Sequence, residues 1–430
     1  MIELILSKAN LTAAYKKVVS NKGSAGVDKM QVTDLKSYLQ THWNELKTSV
    51  ENGTYRPQAV RGVEIPKPNG SKRLLGIPTV IDRMLQQSIY QVLSEIYEPD
   101  FSRFSFGFRL NKSAHQALKQ ALLYINAGFQ YVIDLDLKTF FDIVNHDFLM
   151  SLLNRKIDDK IVLKLIRKFL KSGIMLDGIL NVRESGTPQG SPLSPLLSNI
   201  ILNELDKELT KRGLRFVRYA DDCSIFVKSE KAAKRVLKGI TKFIENKLKL
   251  KVNQEKTKIC RPKNLTILGY GFVSTSKKGE KGKYQLVTSE EAFKKLKVKI
   301  KQVTRKTSPK TFDEMITELN LVTRGWLNYF KFASMWNKLR DLDGWLRSRL
   351  RYFIWKKWKK PDRRKRAFLQ MGVNQENAYS WSRSRKGGWR ICKSPIMTTT
   401  VTDERLERRG YKSILKMFER LHSEQLTLQF

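Results

Sequence analysis

Residues Tyr219-Ala220-Asp221-Asp222 set two adjacent carboxylates between apolar, β-prone runs, Phe216-Val217-Arg218 before and Cys223-Ser224-Ile225-Phe226-Val227 after. Asp forms strands poorly and turns well, so the pair predicts the bend of a hairpin. Neighbouring carboxylates repel unless a cation lies between them. Their hard oxygens suit Mg²⁺, and a pair of such ions about 4 Å apart is the usual device for in-line phosphoryl displacement. An acidic surface turn is the alternative that four residues alone leave standing. A third carboxylate and a surface for a polyanion would decide for the metal.

The third carboxylate has two candidates. Tyr131 to Leu137 is a β-branched and aromatic run that predicts a buried strand. Alternation puts Asp134 and Asp136 on one face and Ile133 and Leu135 on the other. Two acids in an apolar strand are costly unless ligated or paired. Nearby lysines explain one of them comfortably and two less well. After Leu137 the pattern turns helical, burying Phe140 and Phe141, with Asp142 and Asn145-His146-Asp147 as polar partners.

The polyanion surface is plain from composition. The chain has 82 Lys+Arg against 41 Asp+Glu, a net charge of +41, and residues 281–430 hold 36 basic and 14 acidic residues. Such an excess predicts salt-sensitive phosphate contacts with nucleic acid. A content of 41% apolar and 10% aromatic residues is enough to build cores rather than a disordered tail. No run of about 18 apolar residues and no signal-peptide pattern occurs, which predicts a soluble, cytoplasmic protein with no membrane partner. Cys223, Cys260 and Cys392 are far apart and histidines are few, so a disulfide framework and a Cys/His zinc site are not expected.

Tyr-Ala-Asp-Asp in a hairpin, preceded by Asp136-Leu137-Lys138-Thr139-Phe140-Phe141-Asp142, resembles the palm of a reverse transcriptase. The wording is similar to that of group II intron-encoded reverse transcriptases, or maturases. Retroviral enzymes carry Met or Val where Ala220 stands, and viral RNA-copying polymerases carry Gly. In the family the metal-binding Asp precedes an aromatic sugar-discriminating residue by five positions, which selects Asp136 and Phe141, with Asp134 as the fallback.

The resemblance extends along nearly the whole chain. The Gly-rich loop Asn21 to Asp28 looks like the family's N-terminal extension. Val63 to Leu74 reads as strand, Asn-Gly turn and strand, a basic hairpin like the one that clamps the triphosphate, here with Lys67 and Arg73. Thr79 is a candidate cap for the next helix. Ser105-Phe106-Gly107-Phe108-Arg109 is similar to a template-contacting segment, with Leu110 where Pro is usual. Gly186 to Pro195 is a breaker-rich loop leading into a helix with Ser194 as N-cap, Pro195 at the first turn and Gly213 at its close. The family places Gln189 and Gly190 at the incoming nucleotide, though many relatives have Gly where Ser191 stands. Lys256 matches a lysine that assists the pyrophosphate leaving group, and Leu268-Gly269-Tyr270 resembles the primer grip, which Tyr219 would join.

Beyond residue 285 the chain becomes Lys-rich. Arg324-Gly325-Trp326-Leu327-Asn328-Tyr329-Phe330 and the aromatics after it predict a helical bundle core with a basic outer face. That face would include Arg324, Lys356, Lys357, Lys359, Lys360, Arg363 and Arg364. This segment resembles the family's maturase or thumb domain and argues against retrons and retroviral enzymes. The last residues resemble the small DNA-binding region of compact, group IIC-like members, with no endonuclease expected.

The resemblance thus implies an α+β right-hand polymerase fold, with fingers and an antiparallel palm sheet over 1–285. A helical thumb over 286–360 and a basic DNA-binding segment over 361–430 follow. It implies RNA-directed DNA synthesis by target-primed reverse transcription. Asp136, Asp221 and Asp222 would hold two Mg²⁺, with Mn²⁺ as a substitute. The partners would be group II intron RNA, target DNA, a DNA primer and dNTPs. A splicing maturase without polymerisation, and a domesticated or diversity-generating reverse transcriptase, are the alternatives.

Overall fold

The computed structural model describes all residues except 67–69, 71, 276–279, 281 and 428–430. The chain divides into two compact units, Met1–Leu265 and Thr266–Phe430.

The first unit is built on a four-stranded antiparallel sheet in the order Arg215–Tyr219, Asp222–Val227, Tyr131–Leu135, Lys258–Cys260. Its register aligns Phe216, Ile225, Ile133 and Ile259 in one row and Val217, Ser224, Asp134 and Lys258 in the next. Phe216, Ile225 and Ile133 are completely buried, in one core with Leu202 and Leu205 of helix Ser194–Lys211 and Ile240 and Ile244 of helix Glu230–Asn246. Burying each such side chain contributes about 1.5–3 kcal/mol, which is why the strand register cannot slip.

Local signals set the ends of the helices. Thr79 caps helix Val80–Tyr97 as expected, its hydroxyl accepting from the Asp82 N–H at 3.2 Å. Ser194 does not cap its helix: Leu193 holds that position, and the Ser194 hydroxyl donates instead to the Pro188 carbonyl at 2.7 Å. Buried against the breaker loop, that hydroxyl bonds back to the loop instead of serving the N–H groups ahead of it. Gly213, left-handed at φ +66°, follows the end of the helix as expected.

A second sheet, ordered Lys72–Ile77, Val60–Pro66, Ile174–Leu176, Ile179–Asn181, contains the basic hairpin. Its tip, with Lys67, lies outside the described residues.

The second unit opens with strands Thr266–Ile267, Tyr270–Ser274 and Tyr284–Thr288 in an antiparallel sheet. Long helices Glu290–Val303, Phe312–Phe330 and Trp336–Lys357 follow, and shorter helices complete it. Rings of Trp326 and Tyr270 pack on Phe330 at 4.7 and 4.9 Å, so these aromatics do serve as core. The architecture is α+β, with mainly antiparallel sheets, the one parallel pair among the described strands being Val60–Pro66 with Ile174–Leu176, and a helical C-terminal region. Among the described residues no helix is long and apolar enough to cross a membrane.

Candidate active site

Pairing between Tyr131–Leu135 and Asp222–Val227 ends at Leu135 opposite Cys223, and the same register carried one step further sets Asp136 opposite Asp222. The Asp136 backbone is pinned there. Its N–H donates to Thr257 Oγ1 at 3.1 Å and its carbonyl accepts from the Asn253 N–H at 2.9 Å. Lys256, on the same segment, brings its ammonium to 3.9 Å from the Asp136 carboxylate. Asp134 lies two residues further into the sheet, between Ser224 and Lys258, whose ammonium is 3.8 Å away.

Asp221 shares a two-residue loop with Ala220, between the paired Tyr219 and Asp222. Ala220 is left-handed at φ +56°, a conformation that costs an L-residue about 1–2 kcal/mol and that such loops usually give to glycine. Asp222 is exposed at the start of its strand. The protein packed around its carboxyl still displaces water, and this, joined by the charges of Asp221, Asp136 and Asp134, lifts it to about 6, while Lys256 draws it down.

A cavity of about 440 Å³ is lined by Arg73, Phe141, Gln189 and Gly190, with Asn21, Arg83 and Phe108 among its other walls. Phe108 adjoins Gly107, and Gly107 lies so tightly under the hairpin that a Cβ there would stand 2.2 Å from the Ala220 nitrogen. Phe141 leans edge-on against buried Phe140, and its carbonyl accepts from the Thr187 N–H at 2.6 Å. Thr139, just before it, is left-handed at φ +45°, a strained state for a β-branched residue. Arg73 Nε donates to Gln189 Oε1 at 2.5 Å. Gly190, at φ +114°, leaves no room for a side chain, whose Cβ would meet the Gly76 carbonyl oxygen at 2.9 Å.

His146 holds the breaker loop from below. Its Nε2 donates to the Gly186 carbonyl at 2.7 Å, which leaves Nδ1 buried without a hydrogen-bond partner. Burial holds the imidazole below its usual 6.5; Lys171 and Arg167 push the same way, while the Gly186 bond and Asp147 oppose. The unfolded chain therefore binds this proton more readily. Stability from His146 is complete above pH 6.5 and is lost as pH falls from there through the folded-state value. Melting temperature measured between pH 8 and 5 should decline more gently for His146→Gln than for wild type, and parallel profiles would clear His146 of the effect.

Several expected contacts are not available. Arg109 is engaged inside the first unit: it forks onto Glu98 at 3.0 and 2.7 Å and donates to the carbonyls of Ser102 and Ser105. A guanidinium with those acceptors, packed on Phe101, is a local staple rather than a template contact. Tyr270 is wholly buried in the second unit, its hydroxyl donating to the Tyr329 carbonyl, so its side chain cannot touch a primer. Leu268 and Gly269 are both left-handed, and the Leu268 carbonyl accepts from the Tyr329 hydroxyl at 2.9 Å. On the basic face, Arg324, Lys356, Lys359, Lys360 and Arg363 are exposed. Lys357 and Arg364 are half-buried, the first donating to the Ser308 carbonyl and the second stacked 4.1 Å over Trp355.

Sequence reasoning missed a polar network under the hairpin. Arg218 Nε and Nη2 fork onto Asp206 at 2.8 and 2.6 Å, and Nη1 donates to Asn199 Oδ1 at 2.9 Å and to the Ala220 carbonyl at 2.8 Å. The signal was present: Asn199, Asn203 and Asp206 form a polar stripe at helical spacing among the apolar residues of the buried helix face, and Arg218 is a charge in the buried part of its strand.

Residues 65–272 match the family model described as Reverse transcriptase (RNA-dependent DNA polymerase), and residues 293–370 match the Group II intron, maturase-specific domain. Over 416 residues the chain is 32% identical to the group II intron-encoded protein LtrA of Lactococcus lactis, covering 76% of this chain and 69% of that protein. This chain belongs to the group II intron-encoded reverse transcriptase and maturase family. It is also 33% identical to protein YkfC of Escherichia coli K12, over 60% of this chain and 78% of that protein. A putative COX1/OXI3 intron 2 protein of Saccharomyces cerevisiae is 29% identical over 68% of this chain and 41% of that protein.

This family member is an RNA-directed DNA polymerase and maturase, with RNA among its nucleic-acid partners, and reverse transcriptases work with divalent metal ions. The residues present suit such an ion: the strand register carries Asp136 toward Asp222, Asp221 adjoins them, and loss of water together with the charges of its neighbours raises Asp222. Among the described residues no three Asp, Glu, His or Cys side chains close into a ready-made cage. Mg²⁺ at phosphoryl-transfer sites takes one or two carboxylates and completes its shell with substrate phosphates and water.

Proposed function

We propose that the chain copies its own group II intron RNA into DNA by target-primed reverse transcription, within a cytoplasmic ribonucleoprotein, and binds the same RNA to assist splicing. The observation that carries this reading is Asp136 set opposite Asp222, with the Phe141, Arg73 and Gln189 cavity abutting the same hairpin through Gly107 and Phe108.

Asp136, Asp221 and Asp222 would hold two Mg²⁺ or Mn²⁺, which supply a more acidic primer 3′-hydroxyl and neutralise charge on the triphosphate. Arg73, kept in place by Gln189, is positioned to fork onto phosphate, with Lys67 as its expected partner. Phe141 would lie under the sugar, where its ring leaves no space for a 2′-hydroxyl. Gly190 lets backbone approach the nucleotide. Lys256, beside Asp136, is placed to follow the departing pyrophosphate. Backbone at Leu268 and Gly269, and the half-buried Tyr219, would meet the primer. The exposed lysines and arginines of the helical region would take intron RNA or target DNA through phosphate contacts. A functional division near residue 285 is supported by the interval between the two matched segments, 272 to 293, whereas the maturase-specific match runs on to 370, past the boundary expected at 360.

The test is primer extension on an RNA template with dNTPs and then rNTPs, for wild type and Phe141→Ala. Wild type should extend with dNTPs and discriminate strongly against rNTPs, and the variant should lose at least about tenfold of that discrimination, the worth of one steric contact. Wild type that extends nothing would sink the polymerase reading, and unchanged discrimination would remove Phe141 from its role.

A further inference from the structure

The chemistry proposed above leaves Arg218 without a role. Its side chain and that of Asp206 are both wholly inaccessible to solvent. A buried ion pair is a poor source of stability, because apolar residues of similar volume serve as well or better. Its geometry has another use. Four of the five guanidinium N–H donors are engaged, three of them on Asp206 and Asn199, and the fourth on the carbonyl of left-handed Ala220.

We propose that Arg218, aimed by Asp206 and Asn199, is a positioning residue that fixes the Ala220 turn and thereby the directions of Asp221 and Asp222. The inference rests on those two residues being the catalytic carboxylates. The fork onto Asp206 sets the plane of the guanidinium. Asn199 then joins two sides of the hairpin, since its Oδ1 accepts from Arg218 and its Nδ2 donates to the Gly107 carbonyl at 3.0 Å. Gly107 fills the space directly beneath Ala220. Backbone bonds of 2.9 Å from Arg218 N–H to the Phe104 carbonyl and from Phe106 N–H to the Arg218 carbonyl close the frame. A two-residue loop with alanine at its first position has other turn types open to it, and each aims the following carboxylates differently. The donor on the Ala220 carbonyl selects one of them. A misplacement of about 1 Å at a reacting centre can cost about 100-fold in rate.

The experiment compares wild type, Asp222→Asn and the double variant Arg218→Met/Asp206→Leu, which removes both buried charges together. Melting temperature, primer–template affinity, kcat and KM for dNTP are measured, with Mn²⁺ binding to the full chain followed by electron paramagnetic resonance. The double variant is expected to melt cooperatively near wild type and to keep its KM and primer–template affinity. Its kcat should fall about 100-fold, and its Mn²⁺ affinity should fall too. Wild-type kcat and Mn²⁺ binding in the double variant would overturn the proposal and leave the pair a packing element. Should the double variant not fold, Asn199→Ala, which retains the ion pair, must lose kcat at unchanged KM, and a wild-type kcat there overturns it equally. Asp222→Asn with a wild-type rate would instead remove the carboxylate assignment on which the inference stands.

Discussion

Replacing Asp221 and Asp222 together by Asn should lower single-nucleotide incorporation on an RNA template by about 10³-fold or more. Metal-ion stabilisation of a phosphoryl transition state is worth several kcal/mol, and each 1.36 kcal/mol is tenfold in rate. Asn keeps the shape of the side chain and can keep the hairpin, but it removes the negative charge that would bind the ion. The carboxylates around Asp222 repel one another, so the neutral variant should melt no lower than wild type. Splicing assistance should survive, because RNA is expected to be held by the exposed lysines and arginines of the second unit, none of which the substitution removes. Incorporation rates, melting curves and a splicing assay on the same preparation separate these outcomes. Persisting synthesis would end the metal assignment, and loss of splicing alongside synthesis would tie the two roles to one site.

Arg218→Ala should be among the most destabilising single substitutions in the first unit, by about 3–5 kcal/mol, because it leaves the Asp206 carboxylate buried without its partner. That is a large share of the 5–15 kcal/mol typical of a whole domain. For a unit of this size it corresponds to a fall in melting temperature of about 6–20 °C. Asp206→Ala should do likewise by leaving the guanidinium unpaired, whereas removing both charges should restore most of the loss. Thermal melts of the two single variants and of the double variant measure the coupling directly. Additive losses would mean that the pair does not act as a unit.

Much of the candidate site was legible because its residues break the pattern around them. Acids in an apolar strand and at a hairpin tip were visible as Asp134, Asp136, Asp221 and Asp222, and strand pairing then separated Asp134, opposite Ser224, from Asp136 at the strand end. Phe141, Arg73, Gln189 and Gly190 come from three distant stretches, and only motif order suggested that they share a cavity. What sequence could not supply was the partner of each polar group. Arg109 looked like a free cation until the turn carrying Glu98 brought an acceptor within reach. Tyr270 could equally have been a primer contact or a core ring, since an aromatic in a strand looks the same in both settings. Ser194 opens the helix without capping it, and that outcome depended on a loop carbonyl, not on residue type. Arg218 needed a helix twelve residues upstream in sequence before its charge had any meaning.

The place of Gly107 has a consequence for anyone diversifying this polymerase. Position 107 lies outside the carboxylate motif and would pass for a neutral target in a randomised library. Any side chain there would meet the backbone of Ala220 and act as a lever on both carboxylates. A screen for altered fidelity should therefore recover glycine at 107 almost alone.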